Sequence, residues 1–331
     1  MKILSVFMEP LLVEALTNQE QYFKLLEILS EDNIVEFKYL NNEQKEYFEK
    51  NNISFNNKIN DIYFDVLFVF GGRMKSITDI ENDIDNKEGI YYDLYNLIKN
   101  RNNFIIANYL YDPKISKLSD LKQLKTKDIK YIYFNAYNHL EQKSINLFEY
   151  FCFKNIDKKE KDIDFCFGYT ASPTTERKYL SDFVNNYIEE NDKILIFCKD
   201  RFTGRNNLIN QKEYFEIIKR SKYSLVAPSN DKTAFSFSRL LECISNNCIP
   251  FILNDCNLEI LKENYIELYD YFISNNLIIN YNKNINEIIK NFDYNDLIQK
   301  MNKLKCIKDF SNENKMKQKI KENFIGGIKS V

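Results

Sequence analysis

The sequence predicts an α/β protein built from two doubly wound domains that face each other across a cleft. Short apolar runs alternate with longer segments whose apolar residues recur every three or four positions, which is typical of strands followed by helices. The alternation stops at a charged stretch, KNIDKKEKDID at residues 154–164, and then starts again. At 331 residues the chain is long enough for two hydrophobic cores.

The first half carries five candidate strands, at residues 2–7, 34–39, 66–70, 104–109 and 131–135. The opening run MKILSVFMEP indicates a first strand rather than a signal peptide, because a Glu and a Pro soon interrupt it. Residues 1–153 are therefore the predicted first domain.

The second half repeats the pattern, with candidate strands at residues 163–169, 194–198, 223–227, 249–253 and 277–279. The predicted second domain spans residues 160–294, and residues 295–331 read as a helical tail.

Composition excludes several classes of protein. The formal net charge is −2, so no global positive field points to nucleic acid or membrane. Seven cysteines without a CxxC pair or zinc-ligand spacing favour reduced thiols and a cytoplasmic location. No apolar run reaches 18 residues, so no membrane span is expected, although peripheral association with a membrane stays open.

Glycine is rare here, with seven in the chain, and three of them close predicted strands. Gly71 and Gly72 follow DVLFVF, and Gly168 ends IDFCFG. Glycine at such a position allows close approach of a ligand or a positive φ, and open parallel sheets bind ligands there. The alternative is an ordinary turn glycine. Neither GxGxxG nor GxxxxGK[ST] occurs, so the dinucleotide and P-loop classes lack their motif.

Basic residues follow three consecutive strands of the second domain. Arg177 comes after residues 163–169, Arg239 follows residues 223–227, and the run CKDRFTGR between them holds Lys199, Arg201 and Arg205. The carboxyl ends of parallel strands share one sheet edge, so these cations are expected to meet a single polyanionic ligand, a diphosphate.

The run FSFSRLLE, residues 235–242, predicts a helix start that carries binding residues. Ser236 or Ser238 can cap the helix, Arg239 lies in its first turn, and Glu242 follows one turn later. A phosphate on Arg239 and ribose hydroxyls on Glu242 would make a nucleotide site. A capping box with an Arg239–Glu242 ion pair on a surface helix is the alternative.

These residues carry a resemblance to a family. SKYSLVAPSNDKTAFSFSRLLECISNNCIPFIL resembles the donor-site region of GT-B glycosyltransferases, which have two Rossmann-like domains. Exostosin-like transferases share the run, and the phage DNA β-glucosyltransferases share a looser version. The resemblance implies that Arg177 grips the donor diphosphate and that Glu242 holds the ribose. It also implies that Asp112, in FIIANYLYDPKISKL, matches the catalytic Asp that follows a strand in that family.

The remaining first-domain candidates follow strands. Asp112 is the leading general base, and its alternative role is that of a turn residue before Pro113. His139, the single histidine, is a second candidate on the acceptor side.

The loop GGRMKSITDIEND is the predicted acceptor wall. It contributes Gly71, Gly72 and Arg73, with Asp79 and Glu81 as third choices for the base.

The predicted function is transfer of a sugar from a nucleotide-sugar, with a UDP-sugar as the expected donor, to a glycan, lipid-linked or protein acceptor. The expected reaction is inverting and uses no cofactor or metal, since no DxD closes a strand at the donor site. Residues 1–150 hold 18 basic and 23 acidic residues, which argues against a nucleic acid acceptor. A viral DNA-base (hydroxymethylpyrimidine) glucosyltransferase and a non-catalytic nucleotide or sugar binder are the alternatives.

Overall fold

The computed structural model describes most of the chain as two compact units. The described residues are 1–7, 25–38, 64–70, 77–109, 120–134, 144–145, 159–173, 177–228 and 235–330, with 42, 45, 46 and 49 singly. One unit comprises residues 1–137, 142–147 and 317–331, and the other comprises residues 138–141 and 148–316.

The first unit is built on a parallel sheet of six strands. Its order is β2-β1-β3-β4-β5-β6, and every neighbouring pair is parallel. The strands are β1 (Lys2–Phe7), β2 (Ile34–Lys38), β3 (Val66–Phe70), β4 (Asn103–Tyr109), β5 (Asp128–Phe134) and β6 (Ser144–Ile145). The short β6 has no counterpart among the predicted strands.

The second unit repeats this topology with five parallel strands. The order is β11-β10-β9-β7-β8. As in the first sheet, strands are added on one side of the first strand and then on its other side, so the strand order reverses there. The strands are β7 (Ile163–Ala171), β8 (Ile194–Asp200), β9 (Ser221–Val226), β10 (Ile249–Leu253) and β11 (Ile278–Ile279). Two parallel α/β sheets confirm the predicted fold class.

Helices connect the strands, as parallel pairing requires. Residues 25–30 are helical, and residues 289–291 form a 3₁₀ turn. The helices with described ends are α1 (Ile77–Asn86), α2 (Gly89–Ile98), α3 (Lys178–Tyr187), α4 (Gln211–Arg220), α5 (Phe237–Ser245), α6 (Leu258–Asn264), α7 (Ile266–Ser274), α8 (Ile285–Ile288), α9 (Tyr294–Lys303), α10 (Lys305–Phe310) and α11 (Glu313–Ser330). None of the described helices is long and apolar enough to cross a membrane.

The sheets lie in the core of each unit, and the sequences of their strands are accordingly apolar. All five residues of β10, IPFIL, are buried. Strands covered on both faces read as continuous apolar runs rather than as alternating ones, because each face needs apolar side chains.

The described part of the charged stretch, residues 159–164, is held against the second unit. Asp162 accepts hydrogen bonds from Arg220, one of them from Nε at 2.9 Å. The Lys161 ammonium donates to the Asn246 carbonyl at 2.7 Å. This stretch therefore leads directly into β7 as a fixed part of the second unit.

Helix α11 contributes its residues from 317 onward to the first unit. Phe324 is fully buried and meets Phe68 edge-to-face, with 6.2 Å between ring centroids. The Lys321 ammonium lies 2.8 Å from Glu31 and 2.7 Å from Asp32. The end of the chain thus completes the core of the unit in which the chain begins.

Candidate ligand site of the second unit

The strand order of the second sheet reverses between β7 and β9, and side chains from the loops beyond both strands meet there. Arg177 occupies the N-cap position of α3, after β7. Its Nη2 donates to the carbonyl of Pro228, just beyond β9, at 2.7 Å. One guanidinium therefore ties together the loops that flank the reversal, the place where sheets of this kind bind ligands.

Arg239 lies in the first turn of α5, the helix that follows β9. Its Nη1 is 2.9 Å from Oε2 of Glu242, and the two side chains are 32% and 12% exposed. The ion pair that the sequence left open as an alternative is therefore present in the structure. The Arg239 side chain as a whole keeps about a third of its surface open to solvent.

The start of α5 differs from the capping expected for it. Ser236 occupies the N-cap position, and its carbonyl accepts a hydrogen bond from the Leu240 amide at 3.1 Å. Within the described residues, however, the Ser236 hydroxyl makes no capping hydrogen bond. Ser238 lies inside the first turn and is partly buried.

Gly168 has an ordinary backbone angle, and a neighbouring side chain fills the space where its Cβ would be. The positive-φ glycines among the described residues are Gly89 and Gly204, so Gly168 is not needed for its backbone angle. A Cβ on Gly168 would lie 2.9 Å from Cε2 of Tyr214, closer than real Cβ contacts come. The missing side chain makes room for the Tyr214 ring.

Tyr214 also touches Arg239. The guanidinium carbon of Arg239 lies 4.4 Å from the centroid of the Tyr214 ring, within the range of a cation–π contact. Tyr214 belongs to α4 and is buried. Sequence analysis missed this residue, because nothing in the run QKEYFEIIKR distinguishes its tyrosine from an ordinary core residue.

The third loop predicted to carry basic residues follows β8. Lys199 is exposed near the end of β8 and pairs in register with Thr170 of β7. Arg201 is also exposed, and its amide donates to the Ala171 carbonyl at 2.9 Å. Arg205, in the same loop, is held by Glu190, with 2.7 Å between Nη2 and Oε2. Lys199 and Arg201 are thus the exposed cations at the end of β8 and in the loop that follows it.

A buried carboxylate, missed in the sequence, fixes the loop after β8. Asp200 is 2% exposed and accepts hydrogen bonds from the Tyr169 hydroxyl and the Phe202 amide, both at 2.9 Å. Burial works against its charge, yet hydrogen bonds from Ser181, Tyr169 and the loop amides hold the pKa of Asp200 below its usual value. Asp200 therefore shapes the loop that carries Arg201.

The electrostatics of Glu242 set it apart from an exposed helix carboxylate. Burial raises its pKa above the usual value, and the neighbouring Arg239 opposes that rise. Glu242 is thus a partly desolvated acceptor whose charge depends on its cationic partner.

The predicted first-domain site residues lie outside the described residues: Gly71, Gly72, Arg73, Asp112 and His139. Glu81, a third choice for the base, lies on α1 and accepts a hydrogen bond from the Lys122 amide at 2.9 Å. The roles of these residues stay predictions.

No cluster of three or more His, Cys, Asp or Glu that could hold a metal ion occurs in the described ranges. Metal-independent chemistry stays a prediction.

Comparisons with known proteins found similar folds and no similar sequences. No protein-family model matches the chain, and no curated protein matches it. An α-glucosyltransferase in complex with UDP-glucose and DNA containing an abasic site is 10% identical, covers 99% of both chains and has a TM-score of 0.47. An α-glucosyltransferase in complex with UDP and a 13-mer DNA containing a HMU base is 10% identical, with 98% of this chain and 94% of that one covered and a TM-score of 0.43. The roles of the site residues rest on the geometry of this chain.

Proposed function

We propose that the chain is a glycosyltransferase whose second unit binds a nucleotide-sugar donor. The observation that carries the proposal is the Arg177–Pro228 contact, which joins two strand–helix loops across the reversal of the sheet. Arg239 follows β9 at the same sheet edge. A site of this kind suits a ligand with two adjacent negative charges, as in a nucleoside diphosphate.

The donor would compete with a contact that two of the proposed site residues make with each other. In our proposal the diphosphate takes the exposed side of Arg239 and the ribose hydroxyls take Glu242, so the 2.9 Å ion pair between them is loosened or shared. Arg177, Lys199 and Arg201 supply further positive charge. Fixed cations beside the departing diphosphate would stabilise the negative charge that grows as the glycosidic bond breaks.

The first unit would supply the acceptor side and the general base, with Asp112 as the proposed base. A glycan, lipid-linked or protein hydroxyl is the first choice of acceptor. Residues 114–130 contain six lysines, which could offer a local basic surface. In the described part of this run, Lys122 contacts Asp85 at 2.6 Å, so that lysine already has an acidic partner.

A hydroxymethylated base in DNA is the second candidate acceptor. The acidic balance of the first 150 residues does not decide between the two, because affinity for DNA depends on local clusters of cations. The predicted inversion of configuration likewise stays a prediction.

The test begins with binding and proceeds to transfer. UDP-, GDP-, ADP- and CMP-sugars are screened for thermal stabilisation, and we expect a UDP-sugar to raise the melting temperature most. Slow hydrolysis of that donor should follow, and then transfer to one member of an acceptor panel that includes duplex DNA with hydroxymethyluracil or hydroxymethylcytosine.

Failure of every nucleotide-sugar to bind at millimolar concentration would refute the proposal. Binding without hydrolysis, and without transfer to any acceptor, would identify a non-catalytic binder instead.

A further inference from the structure

We propose that Tyr214 is a positioning residue that holds Arg239 in place for the donor diphosphate. The ring of Tyr214 is the platform, and Gly168 is the position that makes space for it. This inference rests on the proposed donor site and adds to it the residue that orients its main cation.

The platform is fixed from two directions. On one side, Gly168 has no side chain, and Cε2 of Tyr214 lies only 2.9 Å from the point where a Cβ at position 168 would be. Beside it, Phe197 of β8 meets the ring edge-to-face, with centroids 6.3 Å apart and an interplanar angle of 87°. With β7 behind it and β8 at its side, the ring cannot shift toward the sheet without a clash.

The platform presents a neutral aromatic face to the cation. Tyr214 is 6% exposed, and burial raises the pKa of its hydroxyl well above the usual value, so the ring stays an uncharged phenol. The Arg239 guanidinium carbon lies 4.4 Å from the ring centroid. A guanidinium stacked flat on a ring keeps N–H groups at its rim free to donate to a ligand.

Two restraints therefore act on Arg239, and they differ in kind. The Glu242 contact is an ion pair that a diphosphate competes with, since both are anions. The Tyr214 contact places the guanidinium carbon over an uncharged ring, so an arriving diphosphate does not compete for it and the contact can persist. Orienting a flexible side chain before binding lowers the entropy cost of binding.

The same geometry predicts a coupling between two positions 46 residues apart in sequence. Adding a methyl group at Gly168 should displace the ring and so misplace Arg239. Where the ring is already absent, the same methyl group has nothing to displace. The effects of Gly168→Ala and Tyr214→Leu on donor binding should therefore not add.

The experiment measures the affinity of the purified full-length chain for UDP and for uridine. We expect Tyr214→Leu to raise the Kd for UDP about tenfold and to leave that for uridine within about twofold, because the platform serves the diphosphate. Tyr214→Phe keeps the ring and should bind UDP as the wild type does. Gly168→Ala should weaken UDP binding alone but add nothing in the Tyr214→Leu background.

Tyr271→Leu is the matched control. Tyr271 is buried to a similar degree in the same unit, its hydroxyl donates to the Leu297 carbonyl at 3.1 Å, and its ring meets Phe272 rather than an arginine. This variant should lower the melting temperature without changing the UDP affinity. Normal UDP binding by a folded Tyr214→Leu variant would overturn this inference but not the proposed function. If Tyr214→Leu does not fold, normal UDP binding by Gly168→Ala would overturn it in the same way. Failure of the wild type to bind any nucleotide-sugar would overturn the proposed function with it.

Discussion

Replacing Arg239 with alanine should affect both stability and binding, and the two effects can be measured separately. The substitution leaves Glu242 without the guanidinium 2.9 Å away, in a position where its side chain is 12% exposed. A buried acceptor that loses its partner costs about 1–3 kcal/mol, so we expect a loss of that size in the free energy of unfolding near neutral pH.

The loss should depend on pH in a definite direction. Burial already raises the pKa of Glu242, and Arg239 is the group that opposes the rise. In Arg239→Ala the folded-state pKa should climb further above the unfolded value, so the folded state takes up a proton more readily. The deficit should then be largest above the folded-state pKa and shrink as the pH falls through it.

Arg239→Ala should also weaken donor binding, independently of its effect on stability. Loss of one charge-assisted contact to the diphosphate costs about 2 kcal/mol, which is roughly a thirtyfold rise in Kd. Urea unfolding at pH 5 and pH 8 measures the first effect, and calorimetric titration with the best donor of the panel measures the second. The double variant Arg239→Ala with Glu242→Ala should regain part of the stability but none of the affinity.

Arg220→Ala is the matched control for this experiment. Arg220 pairs with Asp162 on the surface, where the two side chains are 46% and 49% exposed, so its loss should cost less than about 1 kcal/mol. Its donor affinity should equal that of the wild type. If Arg239→Ala also keeps wild-type donor affinity, the Arg239–Glu242 pair is only a structural contact of the helix and the reasoning about the donor site is wrong.

Three further outcomes are expected. Activity should persist in excess EDTA, because Arg177, Arg239 and their neighbours would neutralise the leaving diphosphate; complete loss that Mg²⁺ or Mn²⁺ restores would contradict this. Asp112→Asn should keep donor-induced stabilisation and lose at least about a hundredfold in turnover, with little change in His139→Gln; the reverse result would assign the base to the histidine. Lys159 and Lys219 lower the pKa of Glu216 to about 2, so the stabilisation they give is present above about 4.5 and is lost as the pH falls toward 2. Acid titration of Glu216→Gln, monitored by circular dichroism, should therefore show a shallower loss over that window, and an unchanged profile would rule out the contact.

Local sequence predicted the elements well where one signal decided them. Residues 2–7, 66–70 and 249–253 have the bounds of β1, β3 and β10, because each is a compact apolar run. Residues 221–222 escaped the prediction for β9, since SK looks like a turn. Lys222 instead pairs with Asp164 at 2.7 Å, so a charge at a strand start has a partner in the sheet.

The site was predictable only where neighbouring residues in the sequence define it. Arg177 and Arg239 could be placed at helix starts, because a strand, a loop and a helix follow one another along the chain. The contact of Tyr214 with Gly168 joins distant positions, and no local pattern shows which ring fills a missing side chain. Whether Arg239 pairs with Glu242 also depends on burial that only the folded chain creates.

Helix α11 has a consequence for how the protein is made. Its residues from 317 onward belong to the unit that starts at residue 1, and Phe324 lies fully buried within that unit. The ribosome synthesises the whole second unit before residues 317–330 of the first unit, so we expect the second unit to be able to fold first, against the usual N-terminal-first order. Until Phe324 has been translated, Phe68 lacks the aromatic partner that covers it. Nascent chains should therefore recruit chaperones at the first unit, and a stop codon introduced just before residue 317 should yield aggregates even though the entire second unit has been translated.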